Sequence, residues 1–358
     1  LMGLIESLFD ITYLIVVIGL GIRLILSPKK GAKLFGWMAI LLGVGDAFHL
    51  LPRVMAHLSP SGFIEYQAAL SWGKFITGIT MTVFYLLFYF YYSLLSEDYD
   101  SKKKWTIFIL TAIRIILILS PQNNWGANEN YTMGIIRNIP FLIMGILLII
   151  WTYNKKNVVG LEKMSLLIFL SFLFYIPVVL WVDKMPALGA LMIPKTIAYV
   201  LIVVQGFKYF IKEFKISNLI DMSLTYLVMG LAGGVFYREF TKYFNYTLDN
   251  HLSKIHVHTL VLGFIVLLLM YLMVKNFRLD KLSELKRTLY IYNIGLITTI
   301  ATMTVYGIYD VVGEGQDTIN IAALSGISGI GHTLLGIGFI WTMLKIKKLS
   351  ELKIIKES

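Results

Sequence analysis

Six histidines and no cysteine bound the metal chemistry open to this chain. Without thiols there is no disulfide, no thiolate-held metal, no iron–sulfur cluster and no thioether-linked haem. Any metal or haem iron must then be held by histidine, methionine or a carboxylate. Two histidines stand two apart in Lys254-Ile255-His256-Val257-His258-Thr259-Leu260, and another lies in Gly331-His332-Thr333-Leu334-Leu335-Gly336. Two residues span about 200° of a helix, so His256 and His258 address different neighbours and can serve two centres. His258 and His332 each open a His-Thr-Leu tripeptide that is followed by a glycine and a Phe-Ile pair, Phe264-Ile265 and Phe339-Ile340. This echo predicts a duplicated helical hairpin, two parallel repeats that bring His258 and His332 toward one another across a shared space.

Two facing imidazoles can hold a haem iron axially, and Gly263, Gly336 and Gly338 would leave room for a flat macrocycle against the helices. Counting at about 1.5 Å per residue puts His258 roughly 25 Å and His332 roughly 19 Å above the inner membrane edge, a mismatch of ~6 Å. Arg238 and Lys254 are placed to pair either with haem propionates or with lipid headgroups. A transition-metal ion such as copper, held by His256, His258 and His332, is the other cofactor this set admits.

A second group lies upstream in Gly45-Asp46-Ala47-Phe48-His49-Leu50-Leu51-Pro52-Arg53. Asp46, His49 and Arg53 fall at i, i+3 and i+7 and share a helix face. Lys195, Lys74 and Arg114 are cations in apolar surroundings, and such cations need partners. Asp46 is the acid expected deep in this part of the chain, so it is expected to pair with Lys195 or Arg114, with His49 beside it.

The elements that must position these residues are set by composition. Of 358 residues, 57% are hydrophobic and 15% charged, with a mean hydropathy of +0.74. A soluble domain has about 25% charged residues, so most of this surface faces lipid. The net charge of +11 is dispersed in short clusters between apolar runs, which is the pattern of topology signals and not of a nucleic-acid face. Eleven runs can cross a bilayer: 8–27, 33–53, 71–95, 105–121, 134–153, 162–182, 187–210, 221–240, 256–275, 287–309 and 320–345. Every odd connection is basic, among them Lys29, Lys30 and Lys33 after the first run, Lys102, Lys103 and Lys104 after the third, and Arg278, Lys281 and Arg287 after the ninth. Lys345, Lys347, Lys348, Lys353 and Lys356 form the tail, while the last even connection holds Asp310, Glu314 and Asp317 without a cation. The positive-inside rule then places the N-terminus outside and the C-terminus in the cytoplasm.

The expected fold is all-α, a polytopic integral membrane protein of about eleven transmembrane helices. The polar stretch near Lys208–Asp221 divides it into a seven-helix domain, 1–215, and a four-helix domain, 216–358, that carries the histidine motifs. The first run lacks a basic n-region and a small-residue cleavage site, and reads as a retained helix. The aromatic run Phe84, Tyr85, Phe88, Tyr89, Phe90, Tyr91 and Tyr92 reads as an interfacial belt.

The stretch His256-Val257-His258 with Gly263 resembles the His-x-His helix of haem–copper oxidases and nitric oxide reductases, in which two histidines two apart hold two metal centres. The oxidases' adjacent His-His pair for copper has no counterpart here, so the resemblance implies haem ligation more than an oxygen-reducing binuclear centre. Residues 221–345 also resemble an uncharacterised group of small four-helix bacterial membrane proteins with a His-x-His-Thr-Leu signature, which implies a bacterial plasma membrane. The leading expectation is a haem protein with b-type haem between His258 and His332, serving electron transfer with a redox partner or binding a diatomic gas. The alternative is a proton-coupled transporter or sensor for a small-molecule substrate, using Asp46, His49, Lys195 and Arg114 together with a histidine metal site. The chain contains no Walker loop, Rossmann fingerprint, His-Glu-x-x-His or Gly-x-Ser-x-Gly motif.

Overall fold

The computed structural model describes residues 1–357 except 128, 183, 278–282, 314 and 316. Arg278, Lys281 and Glu314 of the connections above therefore lie outside the described residues, as do the side chains of Lys353 and Lys356. The helices are α1 Met2–Ile25, α2 Ala32–Leu58, the single turn α3 Gly62–Glu65, α4 Gln67–Ser96, α5 Ser101–Leu119, α6 Tyr131–Asn154, α7 Met164–Trp181 and α8 Met192–Phe210. They continue with α9 Ser217–Tyr243, α10 Leu252–His258, α11 Val266–Asn276, α12 Ser283–Val312 and α13 Ile321–Glu357. A π-helical segment, Thr259–Ile265, joins α10 to α11. No strand occurs among the described residues.

Helices satisfy every backbone polar group internally, which is what hydrocarbon demands. Among the described residues, ten spans are long and apolar enough to cross a membrane, with α10, the π segment and α11 counting as one. Their outward faces carry large apolar side chains such as Val261, Ile265, Leu269, Ile337 and Ile340. These features mark a multi-pass membrane protein. Helix α5 is outside that set because Lys102, Lys103, Lys104 and Arg114 fall within its nineteen residues.

By their contacts the residues form two compact units, one of 1–19, 53–65 and 213–358 and the other of 20–52 and 66–212. In the second unit α4 is the central helix. Its aromatic run is core, not an interfacial belt: Phe84, Tyr85, Phe88, Tyr89, Tyr91 and Tyr92 are all buried. Rings from four surrounding helices enclose them, Phe35 against Tyr91, Phe141 and Phe172 against Tyr85, and Tyr199 against Phe84. Ring type alone cannot tell a belt from a core; the neighbours decide. Pro52 inside α2 cannot donate to the Phe48 carbonyl. The backbone of Gly73 enters there, so close that a Cβ would collide with the Phe48 oxygen.

Between α4 and α5, Lys103 Nζ donates to Asp98 at 2.5 Å and Tyr92 OH donates at 2.7 Å. Partial burial pushes the Asp98 carboxyl up, but these hydrogen bonds and the Asp100 N–H outweigh it and hold the carboxyl below its usual range. A carboxyl lowered by folding stabilises the protein above its unfolded value of about 3.9, and that contribution is lost as pH falls through the folded value. The melting temperature of the native chain should therefore exceed that of Asp98→Asn at neutral pH, with the gap closing below about pH 4.

In the first unit α9 packs along α10, the π segment and α11, while α12 packs on α10 and on α13. The α12–α13 contact is a close backbone approach: a Cβ on Gly295 would strike the Leu335 nitrogen, and one on Gly338 would strike the Tyr292 nitrogen. Small residues at a crossing let membrane helices gain dispersion contact that lipid cannot supply.

Candidate functional site

The histidine site is built from the first unit's α10 and α13. His258 Nδ1 lies 2.9 Å from the Lys254 carbonyl, and His332 Nδ1 lies 2.8 Å from the Ser328 carbonyl, each one helical turn back. A carbonyl only accepts, so both Nδ1 atoms carry the proton, and in the neutral imidazole it is Nε2 that has the lone pair for a metal. Committing Nδ1–H to a carbonyl is how a metal-ligating imidazole is oriented. The adjacent threonines repeat one another as well: Thr259 Oγ1 donates to Ile255 O at 2.7 Å and Thr333 Oγ1 to Gly329 O at 2.8 Å.

The ring centres of His258 and His332 are 6.5 Å apart, with planes at 87°. The depth mismatch expected from counting residues does not keep them apart. A metal–imidazole bond of about 2.0–2.1 Å puts a ring centre about 3.2 Å from the metal, so imidazoles on opposite sides of one ion are about 6.4 Å apart. The observed spacing fits that requirement. Among the described residues no group of three or more His, Asp or Glu that could hold a metal ion gathers anywhere. A bare ion would have only these two ligands, whereas haem brings its own four nitrogens.

Space is available on the α13 side. Gly329 and Gly336 lie about one turn before and after His332, and a Cβ on either would meet nothing within 4 Å. His332 itself is exposed and His258 half-buried. The other two glycines expected to make room do not: Gly263 is filled by the Tyr226 ring and Gly338 by the Tyr292 backbone. That pairing has its own regularity. Each glycine of a Gly-Phe-Ile run meets a tyrosine from the preceding helix, and each tyrosine hydroxyl reaches the other hairpin, Tyr226 to Asn293 at 2.7 Å and Tyr292 to the Leu262 carbonyl at 2.5 Å.

The π segment begins directly after His258. Its wider turn disturbs the carbonyl ladder, and hydroxyls from neighbouring helices take the Leu262 and Phe264 oxygens, the latter from Ser223 at 2.8 Å. His256 turns the other way, toward Gly234 and the ring of Tyr237 on α9, with which it stacks at 12° and 6.5 Å. Its Nδ1 is buried without a hydrogen-bond partner. Lys254 is on α10 one turn before His258 and lies 4.0 Å from Asp249, while Arg238 near the end of α9 lies 3.7 Å from Glu239; both side chains are exposed.

Two clusters go beyond the motifs in the sequence. His251 bonds Asp310 through Nδ1 at 2.7 Å and through its backbone N–H at 2.9 Å, and stacks on Tyr306, whose hydroxyl meets Ser325 of α13. Glu6 of α1 accepts from Arg53 at 2.7 Å and bonds His57 at 3.0 Å. Arg53 thus turns to Glu6 instead of extending the Asp46–His49 ladder. Glu6 precedes the expected start of the first span, so only its burial reveals it.

In the second unit His49 Nδ1 bonds the Leu70 carbonyl at 3.2 Å. Lys195 lies over the rings of Tyr175 at 4.8 Å and Tyr199 at 5.7 Å, within electrostatic reach of Asp46. Arg114 is 4% exposed, its guanidinium 3.3 Å from the centre of the Phe141 ring, and its Nε and Nη1 have no hydrogen-bond partner. A desolvated cation–π contact is worth about 2 kcal/mol, against several kcal/mol for taking the ion out of water. The ring alone does not compensate Arg114. Lys74, at 3.1 Å, and Arg137, at 3.2 Å, instead share Glu129.

Fold and site together define a multi-pass helical membrane protein with two facing, identically tethered imidazoles. Residues 216–349, about a third of the chain, match the family described as "Protein of unknown function (DUF2871)". No curated protein and no solved structure matches the chain.

Proposed function

We propose that the C-terminal helices bind b-type haem between His258 and His332, for electron transfer with a redox partner or for binding a diatomic gas. The observation that carries this reading is the 6.5 Å separation of two rings whose Nδ1 atoms are both committed to backbone carbonyls. Haem would supply a one-electron couple, or an open position for a gas if one imidazole withdraws. His258 and His332 present Nε2, Gly329 and Gly336 keep the α13 face clear, and Lys254 and Arg238 supply cations for propionates. The same reading takes α5 as an eleventh span, which restores the alternation of basic connections and puts the N-terminus outside a bacterial plasma membrane. The His-x-His resemblance to haem–copper oxidases supports it. Copper or another ion held by His256, His258 and His332 is disfavoured because His256 faces Tyr237 instead.

The test is an absorption spectrum of the detergent-purified chain, oxidised and dithionite-reduced, with metal analysis on the same sample. Sharp reduced b-type bands are expected. A featureless spectrum that stays featureless after haem addition would overturn the proposal. A second reading, a proton-coupled transporter or sensor, is favoured by the buried Arg114 charge and by Lys195, on which both Arg114 and Asp46 act.

A further inference from the structure

We infer that the second unit contains a binding site for an organic carboxylate, with Arg114 and Lys195 as its cationic ends. The inference is independent of the haem reading, which concerns the other unit. Arg114 is buried, with two N–H donors that reach no acceptor. Lys195 lies over Tyr175, whose ring is 6.1 Å from the Phe141 ring under Arg114, so the two cations flank one pair of touching rings. Charge supply decides the sign of the ligand. Among the described acids of this unit, Asp98 is tied to Lys103, Glu129 to Lys74 and Arg137, and Glu162 to the Gly160 N–H. Glu97 and Asp100 lie in the α4–α5 connection, which leaves Asp46, an acid that acts on Lys195.

Arg114 and Lys195 against Asp46 leave a positive excess in apolar surroundings, to which Arg137 adds because it shares Glu129 with Lys74, and an anion offsets it. The idle donors belong to a guanidinium, whose planar fork matches a carboxylate and not a spherical ion. The walls specify the rest of the molecule: Phe141, Tyr175 and Tyr199 present aromatic surface to the two cations. An apolar or aromatic body bearing a carboxylate satisfies both requirements.

Benzoate is the probe. The full chain in detergent would be titrated by calorimetry at fixed ionic strength with sulfate as balancing anion, and its melting temperature followed against benzoate and, separately, chloride. Saturable one-site binding is expected for benzoate and not for chloride. Arg114→Met removes an uncompensated charge at similar volume and should fold, with benzoate affinity weakened at least about tenfold. Lys195→Met should weaken it in the same direction and serves as the reading if Arg114→Met does not fold. The inference is overturned if the native chain shows no saturable benzoate binding, if chloride gives the same shift, or if the folded variant binds benzoate as tightly as the native chain.

Discussion

Replacing His332 by alanine is expected to abolish the six-coordinate haem spectrum and to lower haem retention by at least about tenfold, since even the loss of an outer-shell partner of a metal ligand costs about 10–100-fold in affinity. His258→Ala should do the same, because the two imidazoles make equivalent tethers and lie on opposite helices. His256→Ala should leave the spectrum unchanged, since that ring faces Tyr237. Gly336→Leu separates ligation from folding. Its new side chain would enter open space next to His332 and replace a poor helix former with a good one, a gain of about 1 kcal/mol. The variant should melt no lower than the native chain yet fail to take up haem. Haem content per chain, from reduced-minus-oxidised spectra, reads all four variants. A Gly336→Leu protein that binds haem normally would put the macrocycle elsewhere.

Gly295→Val is expected to be the most damaging single change in the C-terminal helices, lowering stability by more than about 3 kcal/mol, the upper range for overpacking. The obstacle its side chain meets is the Leu335 backbone, which cannot change rotamer to make way. The helices must separate, and Gly338 against Tyr292 must separate with them. His332 rides on α13 and would leave its position opposite His258. Thermal unfolding in detergent should show a large drop, with haem uptake falling in parallel. Gly329→Val supplies the comparison, because a Cβ there meets nothing. Equal melting of the two variants would mean that the crossing is not held by close backbone approach.

The helical architecture and the pairing of His258 with His332 were legible in the sequence because both rest on composition and local repetition. An apolar run declares a span, and an ionisable residue inside it stands out against that background. Residue type does not carry environment, and the misreadings lie there. Gly263, Gly336 and Gly338 are the same residue in similar runs, yet only Gly336 faces open space. Tyr85 and Tyr91 look like headgroup anchors until the rings of α2, α6 and α7 close over them. Glu6 was hidden by a span boundary set a few residues late. The π segment was beyond reach because its displaced carbonyls are bonded by Ser223 and Tyr292, which lie far away in sequence.

That segment also sets how the span carrying His258 tolerates change in length. A π turn holds one residue more than the α-helix that would replace it. Deleting a single residue within Thr259–Ile265 would let the span close into continuous α-helix, and because the wide turn already absorbs that residue, the helix on either side would nearly keep its rotational phase. His258 would stay on the α13 side while α11 kept its packing on α9. The helix that carries His332 runs unbroken through the corresponding stretch and has no such slack. Of the two His-Thr-Leu spans, then, only one can lose a residue without turning its imidazole away; a deletion at the matching place in the other would swing His332 by about 100°.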